Sequence, residues 1–185
     1  MMRSPALLLS LLCLAGVAQA APATDAQVQA VVQKLSLGTL GTDMAKLMVD
    51  NVPALNALPE ADRQCAHAPI QTLLDAQFRR SVIAGLGNEG DQVMAEWSRF
   101  LATPAGKGLS SAFAGANPST IAEKANVDLS EKERAEVAAF LGSPAYTRFI
   151  ATLDIESELP DDIGVQLAKG LQDQCRIALN PDDIS

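Results

Sequence analysis

The segment Ala95-Glu96-Trp97-Ser98-Arg99-Phe100-Leu101-Ala102-Thr103-Pro104-Ala105 recurs at a fixed offset of forty as Ala135-Glu136-Val137-Ala138-Ala139-Phe140-Leu141-Gly142-Ser143-Pro144-Ala145. Each copy specifies its own local geometry. Phe and Leu complete the apolar face of one helix, Thr103 or Ser143 caps the next, and Pro104 or Pro144 takes its first position, where a missing N–H costs nothing. The unit is a helix, a sharp corner and a helix. Two copies fall short of the three or more that a stacked solenoid needs, so the pattern predicts a duplication inside one bundle, over about residues 88–115 and 130–155. Phe100, Thr103, Pro104, Phe140, Ser143 and Pro144 are then architectural, with Phe100, Phe140 and Phe149 in the core.

The rest of the chain carries helix signals and almost no strand alternation. Thr24 and Gln27 form a capping box ahead of an apolar stripe at Val28, Val31, Val32 and Leu35, which predicts a first helix from Asp25. Met44, Leu47, Met48 and Val52 supply the next apolar face before Pro53, and Pro59 and Pro69 read as first-turn prolines. Leu73, Leu74, Gln77, Phe78, Ser81 and Val82 continue the helical spacing, Arg79 and Arg80 fall on the solvated side, and Gly85 and Gly87 end the run. Further helices are predicted over 88–102, 104–113, 130–141, 144–153 and 162–179. Aromatic residues make up 4% of the chain, which favours helices of Ala and Leu over a sheet. The expected class is all-α, a compact multi-helix bundle.

Arg3, the apolar run Ala6 to Val17 and Ala18-Gln19-Ala20 match an export signal cut after Ala20. The run is shorter than the roughly 20 residues a membrane span needs. The expected organisation is a signal over 1–20 and a single helical domain over 21–185, periplasmic or secreted, with no membrane span. Cys65 and Cys175 remain after cleavage, an even pair in a compartment where disulfides persist, and the predicted bridge staples the last helix to the first half of the chain. A metal or redox site at Cys65-x-His67 would lack further ligands, since His67 is the single histidine.

Charge and motif content narrow the function. Arg3 is the one basic residue of the signal, so 13 of the 14 Lys and Arg remain against 22 Asp and Glu, a net of −9, which disfavours nucleic acid as a partner. Gly85-Leu86-Gly87-Asn88-Glu89-Gly90 matches the dinucleotide glycine pattern in letters only, because no strand precedes it, and reads as a turn between helices. There is no Gly-x-Ser-x-Gly elbow and no His-Glu-x-x-His helix, and any nucleophile–histidine pair would depend on His67. Glu156, Glu158, Asp161 and Asp162 are close in sequence and could serve a glycosidase only at the right separation, while their spacing lacks the glycine of a calcium loop. No catalytic residue, metal ligand or cofactor is assigned.

Phe100-Leu101-Ala102-Thr103-Pro104-Ala105-Gly106-Lys107 behind an export signal resembles exported bacterial helical proteins that carry a Phe-x-x-(Ser/Thr)-Pro-x-Gly-Lys element. The resemblance covers roughly residues 70–155, and the second copy departs from it at Tyr146 and Thr147. It implies a periplasmic location and a helical fold, and it transfers no catalytic residue.

Two functional readings follow. Export, acidity and the lack of catalytic groups point to a non-enzymatic protein-binding module, such as an immunity protein or inhibitor that neutralises a basic toxin or an envelope enzyme. Trp97 is the first candidate anchor for that interface if it is exposed. The alternative is a helical carrier of a small amphiphile in an apolar cavity, suggested by Met44, Met48 and Met94 beside the leucine stripes. A role for the carboxylates between Glu156 and Asp162 in an enzyme is the third.

Overall fold

The computed structural model describes residues 20–37, 40–113, 129–153 and 160–184. Apart from Ala20, the segment predicted to be an export signal lies outside the described residues, as do Glu156 and Glu158. Every regular element among the described residues is helical.

Thr24 opens α1 (Asp25–Lys34) with the predicted capping box: its hydroxyl accepts from the Gln27 N–H while the Gln27 carboxamide accepts from the Thr24 N–H at 2.8 Å. The valine stripe of α1 is buried. The next helix, α2 (Leu40–Asn51), turns a different face inward from the one its bulky residues predict. Gly41, Ala45 and Val49 are buried, Met48 is half-buried, and Met44 and Leu47 are exposed. Small residues won because they permit close approach: a Cβ on Gly41 would fall 1.9 Å from an oxygen of Asp75.

A single turn, α3 (Pro53–Asn56), leads into the long central helix α4 (Glu60–Leu86). Pro59 lies at the N-cap of α4 as a boundary proline, but Pro69 is a buried interior residue of the same helix rather than the start of a new one. Its ring removes one i→i−4 hydrogen bond, to the carbonyl of Cys65, and Cys65 is exposed to water. Gly87 (φ 55°) closes α4 in a conformation that glycine adopts without strain. A 3-10 turn over Gly87–Glu89 joins it to α5 (Gly90–Phe100), so the glycine-rich segment is the expected helix-to-helix turn.

The duplicated units follow. α5 turns at Thr103 into α6 (Pro104–Phe113), and α7 (Glu131–Leu141) turns at Ser143 into α8 (Pro144–Leu153). The corners are built alike: the Thr103 hydroxyl accepts from the Gly106 N–H at 3.0 Å, and the Ser143 hydroxyl from the Tyr146 N–H at 3.2 Å. The first helix of each unit packs on the second helix of the other, α5 on α8 and α6 on α7, as an approximate twofold exchange requires. The last helix, α9 (Ile163–Cys175), stops short of the predicted Leu179. Arg176 adopts a left-handed conformation there (φ 60°), and the Ile177 N–H reaches back to the Leu171 carbonyl, so the chain can turn and bury Ile177 and Ile184.

Two apolar clusters share α4. One gathers the valines of α1, Val82 and Leu86 of α4, and the duplicated units around Trp97, Phe140 and Phe149. The other gathers Ala45 and Val49 of α2, Leu55, Ala66 and Ile70 of α4, and Leu167, Leu171, Ile177 and Ile184 of the C-terminal segment.

Candidate functional site

The predicted bridge is present. Cys65 near the start of α4 and Cys175 at the end of α9 are joined with S–S 2.04 Å and Cα atoms 5.9 Å apart, across a sequence separation of 110. The bond commits the Cys65 sulfur. Among the described residues no three His, Cys, Asp or Glu side chains converge as metal ligands do.

Trp97 is not a surface anchor. Its exposure is 0%, its indole N–H donates to the Ala145 carbonyl at 3.1 Å, and its ring packs against Phe140 (4.8 Å), Phe149 (4.9 Å) and Tyr146 (5.9 Å). A large ring in an alanine-rich bundle is the natural filler between two helix pairs, and its one polar atom is satisfied by a backbone oxygen. The six corner residues serve the same junction: Phe140 is buried, Phe100 is half-buried, Thr103 and Ser143 act as caps, and Pro104 and Pro144 are exposed first-turn residues. The methionines do not converge either, since Met94 is core and Met44 is surface.

The most developed polar feature lies between α2 and the first turns of α4. Lys46, Val49 and Asp50 on α2 face Glu60, Arg63, Gln64 and His67 on α4 across a cleft of about 260 Å³. The spacings are helical on both sides, so each set forms one stripe. Lys46 Nζ lies 2.5 Å from Asp50 Oδ2, Arg63 pairs with Glu60 Oε2, and Gln64 donates to Glu60 Oε1 at 2.9 Å. The hydrogen bond from Lys46 holds the Asp50 carboxyl below its ordinary pKa, and the charges of His67 and Arg63 act in the same direction. Gln64 and then Arg63 do the same for Glu60. Both groups are therefore ionised carboxylates at neutral pH. The Arg63 Nε is buried without an acceptor among the described residues.

Chemically, this wall can hold charge and exchange hydrogen bonds, and it contains no hydroxyl or thiol nucleophile. The local pairs at i,i+3 and i,i+4 could be found in the sequence. That the two stripes meet, with the chain's one histidine lining the same cleft as both carboxylates, depends on how α2 docks. A smaller cleft of about 150 Å³ is lined by Gly85, Leu86, Arg148, Ala151 and Thr152, and Arg148 is held by an ion pair to Glu89. Of the acidic cluster, Asp161 and Asp162 are exposed, and Asp162 accepts from Gln166 at 2.9 Å within the first turn of α9.

Fold and site define a class: an all-α domain stapled by one disulfide, with an internally duplicated helix-corner-helix unit and a charged cleft between two helices. No family model matches the chain, and neither the curated proteins nor the solved structures searched contain a match.

Proposed function

We propose that this chain is a non-enzymatic protein-binding module of the periplasm or the extracellular space, which acts by occupying the surface of a toxin or envelope enzyme as an immunity protein or inhibitor does. The observation that carries this reading is the apolar flank of α2. Met44 and Leu47 are one turn apart and 49% and 55% exposed, while the small residues on the opposite side of the same helix make the contact with α4. Large apolar side chains on a helix flank, adaptable in the case of methionine, suit a contact surface better than a solvated one. They take the anchoring role that Trp97, buried in the core, cannot fill. The net charge of −9 that remains after the leader adds long-range steering toward a basic partner.

The carrier reading has less support, because the larger of the two clefts has a charged wall and the methionines line neither of them. The test is affinity capture from envelope extracts of producing and competing cells, with mature tagged protein and its disulfide intact. A stoichiometric protein partner should bind the wild type, and Met44→Asp with Leu47→Asp should weaken that binding roughly thirtyfold or more while leaving the melting temperature near its wild-type value. A partner that binds the double variant as tightly would remove α2 from the interface, and a co-purifying amphiphile without a protein would favour the carrier.

A further inference from the structure

On the flank of α2 opposite Met44 and Leu47, the cleft at Arg63 and His67 has the composition of a small-molecule site. The two helices run antiparallel there: Gly41 abuts Asp75 at one end, while Lys46 and Asp50 meet the Glu60 to His67 stripe at the other. Formal charge is balanced on the wall, with Lys46 and Arg63 against Asp50 and Glu60. Hydrogen-bonding capacity is not balanced in the same way. Glu60 has both oxygens engaged, by Arg63 and Gln64, yet each carboxylate oxygen can accept again. On the donor side the Arg63 Nε has no acceptor, and His67 makes no hydrogen bond or ion pair among the described residues. The Nε is shielded by its own burial, so what the cleft offers is the rest of the Arg63 side chain, one-third exposed and paired with Glu60 through a single terminal nitrogen, together with His67, beside the ionised carboxylates of Asp50 and Glu60. The Cys65–Cys175 bridge fixes the same turns of α4 from behind.

We propose that this cleft binds a small zwitterion, an α-amino acid, with its carboxylate on Arg63 and His67 and its ammonium on Asp50 and Glu60. A ligand with both charges leaves the wall neutral, whereas a simple anion would add charge to an already acidic protein. The volume of about 260 Å³ sits just below the range of ordinary ligand pockets, which matches a ligand of this size. Val49 is the one apolar residue of the wall and, being buried, closes the cleft on its core side. The site is independent of the α2 apolar flank and does not require a protein partner.

His67 is the chain's single histidine, so its imidazole resonances report on the cleft without ambiguity. The experiment titrates the mature oxidised protein with each common α-amino acid in turn, then repeats the titration of the best binder with its N-acetyl derivative and its amide. The expected result is a saturable shift of the His67 signals for at least one amino acid, half-complete at or below about 1 mM. Blocking either end should weaken binding roughly tenfold or more, as should Arg63→Gln or, as a second variant at an exposed position, Asp50→Asn. No saturable shift with any amino acid overturns the proposal. Equal binding of the N-acetyl derivative overturns the zwitterion assignment, and wild-type affinity in both variants overturns the placement.

Discussion

The rings of Phe100 and Phe140, forty residues apart and at matched positions of the duplicated unit, stack face to face with centroids 3.8 Å apart and an interplanar angle of 5°. A contact between equivalent residues is what an internal twofold axis produces where it passes through the structure. The crossed packing of α5 on α8 and of α6 on α7 obeys the same relation. The duplication thus has a physical purpose: each unit covers the apolar faces that the other leaves open, which is why two copies suffice without a solenoid.

Phe140 is 7% exposed and Phe100 is half-buried, so the matched pair is not equivalent in energy. Phe140→Ala should destabilise the protein by about 3–5 kcal/mol and Phe100→Ala by less. A double-mutant cycle by urea denaturation should return a coupling of about 0.5–1.5 kcal/mol. Strict additivity would mean that the stack contributes nothing beyond burial.

Trp97 is the chain's one tryptophan and is fully buried, which makes its fluorescence a probe of the junction between the units. Emission should be blue-shifted in the native state and move to the red in a single transition on unfolding. Trp97→Phe keeps most of the ring but loses the hydrogen bond to the Ala145 carbonyl, and should cost about 1–3 kcal/mol. Trp97→Ala should cost about 3–5 kcal/mol.

What could be read in advance was what neighbours in sequence determine. The capping boxes at Thr24 and Ser130, the Thr103 and Ser143 corners and the Gly87 stop each need only a few adjacent residues, and the helices they bound lie close to their predicted limits. The pairing of Cys65 with Cys175 was readable by count once Cys13 is assigned to the predicted leader. The inward face of α2 was not, because Met44 and Leu47 have the stronger apolar character and only the approach of α4 to Gly41 and Ala45 decides against them. Pro69 misleads for a related reason: its buried contacts in a long helix outweigh its local cost. The cleft escaped because Lys46 and Arg63 look like ordinary solvated pairs until two helices bring them together.

The Glu133 side chain closes the capping box of α7, accepting from the Ser130 hydroxyl at 2.6 Å and the Ser130 N–H at 2.8 Å, and these bonds hold its carboxyl below the ordinary glutamate value. A lowered folded-state pKa gives stability that is present above the unfolded value and lost as pH falls through the folded one. Melting temperatures of wild type and Glu133→Gln should therefore differ at neutral pH, with the wild type higher, and converge as the pH drops below the carboxylate range. A difference that persists in acid would assign the effect to shape rather than charge.

Gly106 and its counterpart Tyr146 show that the two corners are not interchangeable. A Cβ on Gly106 would fall 2.0 Å from the Phe100 carbonyl oxygen, a backbone atom with little room to move, whereas Tyr146 carries a side chain that packs on Trp97. Gly106→Ala should cost about 1–3 kcal/mol or more through forced backbone movement. Thermal denaturation of this variant beside Gly142→Ala, where a Cβ meets ordinary contacts at 3.6 Å, separates corner strain from general glycine loss. Comparable changes for the two would refute the tight-corner account.

The bridge and the two apolar clusters together predict how the protein loosens. Cys65–Cys175 closes a loop of 110 residues, and in the chain-entropy model its removal costs roughly 4–5 kcal/mol. The loss should not be felt evenly. α9 packs on α4, and Leu167, Leu171, Ile177 and Ile184 share one apolar cluster with Ala45 and Val49 of α2 and with Ala66 and Ile70 of α4, while Trp97, Phe140 and Phe149 belong to the other cluster and make no use of the bridge. Amide hydrogen exchange on Cys65→Ala with Cys175→Ala should therefore rise first and most in α9, with smaller change in α5 and α8. Uniform acceleration across both clusters would show instead that α4 couples them into one cooperative unit, and that the staple stabilises the whole domain through the unfolded chain alone.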